Sequence, residues 1–344
     1  MKRVLIINTA GPDTSSGHLF TALGQALESS NHSEVEIAHL KNGVGIWAKL
    51  SKMLLPSLRC WRAIRRADIV IVHTTVFLAA WEILMARAFG KRLLAIFWDS
   101  YPESFMGLGR THPGLSLKCY GWGERGLLRL CDVILPPSED YLPHLLTIGL
   151  ADKAEFLPIW PFTDIRTPVM PSPRREDTVE ICFAGAVNVI RGLDHALHTL
   201  VKTTDNRIEL HFYGRNAPSL PESLPRDRVT LVDHGFVAQG EIMERLATHD
   251  FGLVSLHPDF ALPAFPSKCI SYICAGLPVL YTGPPLRSFE KFLTETETGL
   301  ALEAGMEVDL GSHAHALRAD FAKAQQKALR RVNLSEDKIA KILQ

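Results

Sequence analysis

Two short stretches of this chain place residues capable of chemistry just beyond apolar runs. The first is Pro266-Ser-Lys-Cys-Ile-Ser-Tyr-Ile-Cys-Ala-Gly-Leu-Pro-Val279. Ser267 can cap a helix there, Gly276 can end it in a left-handed conformation, and Pro278 blocks its continuation into the next strand. Lys268 and Ser271 stand three residues apart and share a face of that helix. A helix N-terminus with a free lysine suits a phosphate, and the competing reading is a capped core helix with one solvated lysine. The second stretch is Phe183-Ala-Gly-Ala-Val-Asn-Val-Ile-Arg-Gly-Leu193, a strand, a loop containing Gly185, and a helix starting near Arg191. Its backbone amides and the Arg191 guanidinium suit a diphosphate held across a cleft from Lys268, although most such strand-to-helix loops bind nothing.

Near the N-terminus, Asn8-Thr-Ala-Gly-Pro-Asp-Thr-Ser-Ser-Gly-His18 is a loop of small polar residues leading into a helix at Leu19. It lacks the Gly-Lys-Ser/Thr of a nucleoside-triphosphate loop and the Gly-x-Gly-x-x-Gly of a dinucleotide fold, which disfavours an ATPase and a dehydrogenase. Gly11 and Gly17 shape this loop, and Asp13 and His18 suit proton transfer with a hydroxyl if they face a cleft. Asp99, in Trp98-Asp-Ser-Tyr-Pro-Glu-Ser104, is delivered at the end of an apolar run and suits the same work. It also suits a turn before proline. His73 ends another run and reads more simply as a buried, hydrogen-bonded histidine.

The elements that must position these residues alternate between short apolar runs and stretches of helical period, the pattern of parallel sheets with crossover helices. The runs are 4–8, 35–39, 69–73, 93–98, 133–136 and 155–158, then 180–184, 209–213, 229–232, 251–256 and 278–281. Helical stretches include 19–29, 77–89, 193–201, 241–247 and 267–275. A proline-rich, charged stretch over 167–177 reads as a linker. The predicted fold class is α/β, two Rossmann-like parallel-sheet domains facing a cleft, over 1–168 and 178–325. The tail 313–344 reads as one or two helices, and 326–344 is expected as a C-terminal helix packing back on the first domain. Two such domains bring their strand ends and helix N-termini together at the cleft, where the chemistry is expected.

Composition agrees with two ordinary cores. The chain has 344 residues, 47% of them hydrophobic, with 37 basic groups against 37 acidic ones, so no charge excess marks a nucleic-acid partner. Six cysteines without a Cys-x-x-Cys pair, and no histidines at metal-ligand spacing along the chain, argue for a reducing compartment and against a structural metal. The longest apolar stretch, 69–86, is broken by His73, Thr74, Thr75 and Glu82 and does not suit a membrane span. Residues 41–66 carry seven Lys or Arg and no acid. Trp47, Leu50, Leu54, Leu58 and Trp61 lie on one helical stripe and Lys49, Lys52, Arg59, Arg62 and Arg66 opposite, interrupted by Pro56. That stripe suits an anionic membrane surface or packing on the first sheet.

In this order the pieces resemble the group 1 glycosyltransferases of the two-lobed GT-B class, particularly those of bacterial O-antigen, capsule and exopolysaccharide assembly. The resemblance rests on the first strand and loop, Trp98-Asp-Ser-Tyr-Pro-Glu103, Glu124-Arg-Gly-Leu-Leu-Arg-Leu-Cys-Asp-Val-Ile134, Phe156-Leu-Pro-Ile-Trp160, the Arg191-Gly192 loop, and Phe265-Pro-Ser-Lys268 followed by Ala275-Gly-Leu-Pro-Val279. It implies that Arg191 and Lys268 meet the diphosphate of a nucleotide sugar, with Ser267, Ser271 and Gly185 beside them and Phe236 and Val237 near the base. It also implies that the first domain holds a saccharide or lipid-linked acceptor, with His18 and Asp99 at the reacting centre. Relatives often carry two glutamates where this chain has Pro263 and Ser271. No Asp-x-Asp motif stands ready to bridge a diphosphate by metal, so the resemblance implies transfer without metal or cofactor, in the cytoplasm or at the inner face of the membrane. A sugar-nucleotide epimerase and an inactive sugar-nucleotide-binding subunit share the expected architecture and remain alternatives.

Overall fold

Continuous runs of Val, Ile and Leu, most of them buried, build two parallel sheets with helices in most of the connections between successive strands. The computed structural model describes residues 1–9, 11, 12, 14–30, 33–40, 60–74, 76–100, 103, 114–169, 177–303 and 305–344. The first sheet holds β1 (Lys2–Asn8), β2 (Ser33–His39), β3 (Ile69–His73), β4 (Arg92–Ile96) and β5 (Val133–Leu135) in the order β2-β1-β3-β4-β5. Its helices are α1 (Ser15–Ser29), α2 (Trp61–Arg66), α3 (Ala80–Ala88), α4 (Leu115–Leu130) and α5 (Leu142–Thr147).

The second sheet holds β6 (Thr178–Ala184), β7 (Arg207–Tyr213), β8 (Val229–Asp233), β9 (Phe251–Ser255), β10 (Val279–Thr282) and β11 (Gly299–Leu302), in the order β11-β10-β9-β6-β7-β8. Between and after them come α6 (Leu193–Thr203), α7 (Gln239–Ala247), α8 (Lys268–Cys274), α9 (Arg287–Thr296), α10 (Leu310–Ala319), α11 (Phe321–Val332) and α12 (Glu336–Leu343). Every strand pairing among the described residues is parallel. Both strand orders reverse direction once, between β1 and β3 and between β6 and β9. Ligands of open α/β sheets sit outside the strand C-termini at such reversals.

Two expectations fail at the periphery. The run 155–158 is not a strand: the chain there makes only isolated contacts alongside β5, Glu155 N–H to Ile134 O at 2.9 Å and Leu157 N–H to Pro136 O at 2.9 Å. The tail is three helices, and α9 and β11 were not anticipated. The proline-rich linker lies largely outside the described residues. At the far end, the Lys2 ammonium donates to the Leu343 carbonyl, and Arg92 Nη1 donates to Ile342 O at 3.0 Å. These bonds tie α12 to the starts of β1 and β4.

The core on the cleft side of the first sheet is aromatic. Trp98 stacks on Phe20 with ring centroids 5.6 Å apart and abuts Trp160 at 5.9 Å. Trp160 donates from Nε1 to Leu19 O at 2.8 Å, which satisfies its one polar atom as a buried indole requires. One hydrophobic cluster runs from Ile6, Phe20 and Trp160 through Phe265 to Tyr272 and Ile339, so the two sheets share a core beneath the cleft.

Candidate active site at the cleft

A cavity of about 410 Å³ opens between the two strand reversals. The second domain contributes Asn188, Ile190, Arg191, Leu256, Phe260, Phe265, Ser267 and Lys268; the first contributes Ser15, Ser16, Trp98, Asp99, Tyr141 and Ile159.

Arg191 is aimed by a locked loop. Asn188 Oδ1 accepts from Arg191 N–H at 3.1 Å, closing a turn, and Gly192 follows at φ +54°. A Cβ on Gly192 would lie 2.6 Å from His257 Cα, so glycine is required both by the backbone sign and by the close approach. The His257 N–H in turn donates to Ile190 O at 2.8 Å, which binds the β6 loop to the segment after β9.

Lys268 reaches the cavity from the first residue of α8. Its Nζ is buried, has no hydrogen-bond partner among the described residues, and sits 3.9 Å from the centroid of the Phe183 ring. Burial pushes its pKa well down, and the neighbouring Arg191 cation pushes it further. Gly185 makes room for it: at φ +117° a Cβ there would lie 3.1 Å from Lys268 Cε and Nζ. The Ser267 side chain makes no cap bond to the helix, contrary to the sequence expectation, because Ser267 itself has helical backbone angles. Ser271 is half-buried on α8 and outside the cavity lining.

Across the cavity, Asp99 follows β4. Its backbone N–H and that of Trp98 both approach Thr74 Oγ1 at 3.3 Å, and Tyr141 donates from its hydroxyl to Trp98 O at 2.8 Å. Its neighbour Ser100 lies 2.6 Å from His144 Nε2. Asp99 is exposed to solvent in the cavity lining, yet protein crowds around its carboxylate. That enclosure raises its pKa, and the Arg191 charge facing it from the other domain pulls it back down. The reciprocal effect holds Arg191, lowered by burial, toward its charged form.

The remaining sequence candidates fall elsewhere. His18 is half-buried in the first turn of α1 and is not among the cavity-lining residues; Ser15 and Ser16, which the sequence did not single out, are. Thr14 caps this helix, its Oγ1 accepting from Gly17 N–H at 3.1 Å and donating to Gly11 O at 2.6 Å. Gly17 is sterically obligatory, since a Cβ there would fall 2.1 Å from Pro12 O. Asp13 and residues 41–59 lie outside the described residues. Phe236 is 68% exposed on the loop after β8, with the Arg215 guanidinium 4.9 Å from its ring centroid, and Val237 packs on the core; neither lines the cavity. His73 is buried between Phe20 and Trp98, and burial lowers its pKa. No helix among the described residues is long and apolar enough to cross a membrane.

No known sequence family and no curated protein sequence matches the chain, whereas solved structures do. A lipopolysaccharide outer core galactosyltransferase, WaaB, in its apo form aligns over 100% of this chain and 98% of its own, at 12% identity and TM-score 0.59. An alpha-glucosyltransferase in complex with UDP aligns over 100% of both chains at 11% identity and TM-score 0.59. The S. aureus MnaA-UDP complex aligns over 100% of this chain and 95% of its own, at 12% identity and TM-score 0.51. Matching whole chains of this kind, with two parallel-sheet domains around a cleft, the protein has the GT-B fold.

Proposed function

We propose that the protein is a glycosyltransferase that moves a sugar from a nucleoside diphosphate sugar to a saccharide or lipid-linked saccharide acceptor. The observation that carries this reading is the Lys268 ammonium, buried at the cavity without a hydrogen-bond acceptor among the described residues and next to a second cation, Arg191. Two cations at one wall call for a multiply charged anion, and a nucleoside diphosphate supplies one. UDP in two proteins of this fold supports the donor class, and the outer core galactosyltransferase supports a saccharide acceptor. Another UDP-bound neighbour also holds DNA, so the choice of acceptor rests on the sequence resemblance.

In the proposed reaction an acceptor hydroxyl oxygen bonds to the anomeric carbon while the bond from that carbon to the diphosphate oxygen breaks. Lys268 and Arg191 hold the charge that gathers on the departing diphosphate, in place of a metal. Asp99 takes the acceptor proton. A carboxylate with a raised pKa is a better base near neutrality than an ordinary one, and the Arg191 charge opposes that rise. Surface polysaccharide assembly and contact of the basic 41–66 stretch with the inner face of the membrane belong to the same reading.

Calorimetric titration of the protein with UDP, GDP, ADP and their sugars, with and without magnesium, tests it. Binding of one base, unaffected by chelator and weakened by about 1.5–3 kcal/mol in Lys268→Ala and in Arg191→Ala, is the expected result. Unchanged affinity in both folded variants removes the diphosphate site, and tight binding without sugar transfer or hydrolysis favours an inactive binding subunit.

A further inference from the structure

A second cluster of chemically capable side chains lies on one face of the second sheet, away from the cleft. The parallel register sets Glu180 of β6 beside Glu209 of β7, Cys182 beside His211, and Ala184 beside Tyr213. Residues alternate faces along a strand, so Glu180, Glu209, His211 and Tyr213 all project from the same side. His249, from the turn between α7 and β9, enters this group, and one ligand-capable atom each of Glu180, His211 and His249 lie within 4.8 Å of one another. Glu180 stands five residues before Gly185 on β6, roughly 16 Å of strand from the diphosphate wall.

We propose that Glu180, His211 and His249, with Glu209 completing the set, bind one zinc ion that staples β6 and β7 to the segment entering β9. His249 Nδ1 lies 3.3 Å from Glu180 Oε2, and His211 Nε2 lies 3.8 Å from the same oxygen and 2.9 Å from Glu209 Oε1. Tetrahedral zinc with bonds of about 2.0–2.1 Å places its ligand atoms about 3.3 Å apart, so these side chains need only small adjustments to surround one.

The outer nitrogens strengthen the assignment. His211 Nδ1 lies 2.9 Å from His234 Nε2, and His249 Nε2 lies 2.8 Å from the Tyr213 hydroxyl. Each imidazole therefore has a partner for its outward N–H while its other nitrogen faces the shared centre, the arrangement that fixes the tautomer of a metal-ligating histidine. Two carboxylates neutralise a divalent charge, and two imidazoles select a transition metal over magnesium or calcium. The histidine side chains are 11% and 4% exposed while that of Glu209 is 36% exposed, so the ion has a route in past Glu209.

The test is titration of the tag-free, chelator-treated full chain with Co²⁺, followed by displacement with Zn²⁺. One equivalent per chain, with the intense visible absorption of tetrahedral cobalt and a rise in Tm on adding zinc, is expected. Affinity should fall by more than about 100-fold in His211→Ala and His249→Ala, and by about 10- to 100-fold in His234→Ala and Tyr213→Phe. Glu180→Gln, which keeps side-chain volume, serves where an alanine variant does not fold, and it too should lose binding. Lys268→Ala should bind metal unchanged. Failure of the wild-type chain to take up Co²⁺ or Zn²⁺, or equal uptake by folded His249→Ala and Glu180→Gln, overturns the proposal and leaves the cluster a hydrogen-bonded network.

Discussion

The two walls of the cleft are built on opposite principles. The second-domain wall concentrates positive charge on backbone that cannot relax: Gly185 and Gly192 have positive φ and close neighbours, and Lys268 has its ammonium against Phe183 rather than against an anion. The first-domain wall carries one acid, Asp99, among hydroxyls and aromatic rings, and its geometry is set by hydrogen bonds involving Thr74, Tyr141 and His144. A rigid cationic wall suits a constant partner, the diphosphate. A softer polar wall with one tuned carboxylate suits a partner that differs between enzymes and a proton that must move.

The sharpest way to break this comparison is Asp99→Asn. If the acid belongs to the chemical step and the cations to donor binding, kcat should fall about 10²- to 10⁴-fold while the nucleotide Kd stays within a factor of two or so of wild type, since the neutral amide keeps the shape. Equal losses in kcat and nucleotide affinity would merge the two walls into one binding site. Next in size, the double variant Lys268→Ala/Arg191→Ala should lose more nucleotide affinity than the sum of its single variants. The two cations lie close enough to repel, and removing one relieves the other. Strict additivity would place them on separate groups of the ligand.

A smaller effect sharpens the picture of the rigid wall. Gly185→Ala forces a side chain into a positive-φ position and against Lys268, at a cost of about 1–3 kcal/mol. Its signature is a lower Tm together with weaker nucleotide binding. The pH dependence of turnover distinguishes the walls in another way. Because enclosure raises the Asp99 pKa, the acid limb of kcat/KM should lie above the usual carboxylate value of about 3.9. Arg191→Ala, which removes the opposing charge, should move that limb further up. A limb that stays put in Arg191→Ala would separate Asp99 from it.

What the sequence revealed follows the same division. Lys268 and Arg191 were legible because each belongs to a local motif in which strand, turn and helix are contiguous in the chain. The strand 69–73 was legible because an unbroken β-branched run between polar flanks has few other fates. The first-domain wall depends on tertiary placement: Ser15 and Tyr141 have no distinguishing neighbours in sequence, and His18 turned out to lie off the cavity lining. Helix α4 was hidden by Gly121, Gly123 and Gly126, which lower helix propensity, yet a Cβ on Gly123 would lie 2.4 Å from Phe77 Cε2, so packing demands that glycine. The cluster of Glu180, His211 and His249 was invisible for a related reason. Its spacing exists only across the sheet register, and the expectation of no histidine cluster came from spacing along the chain.

The smallest predicted effect concerns what the cationic wall costs the protein when no ligand is bound. Lys268 has a folded-state pKa well below that of a free lysine, chiefly through burial. Between the two pKa values the unfolded chain binds more protons than the folded one, so this group's contribution to stability rises with pH across that window. Below the folded-state pKa its penalty is present in full, and near the ordinary lysine value of about 10.4 it has vanished. Lys268→Met, of similar length and without charge, should therefore be more stable than wild type by about 0.5–2 kcal/mol near neutral pH, with the advantage shrinking as pH rises toward 10 or so. Denaturant melts of both proteins across that range measure it. The same logic requires UDP binding to wild type to take up protons, because a diphosphate beside Lys268 restores its charge; calorimetry in buffers of different ionisation enthalpy reads that uptake, and Lys268→Met should show less of it. A variant that is less stable at every pH would mean that the Phe183 contact outweighs the burial of the ammonium. The unpartnered cation would then stabilise the fold, and the contrast between a strained donor wall and a relaxed acceptor wall would fail.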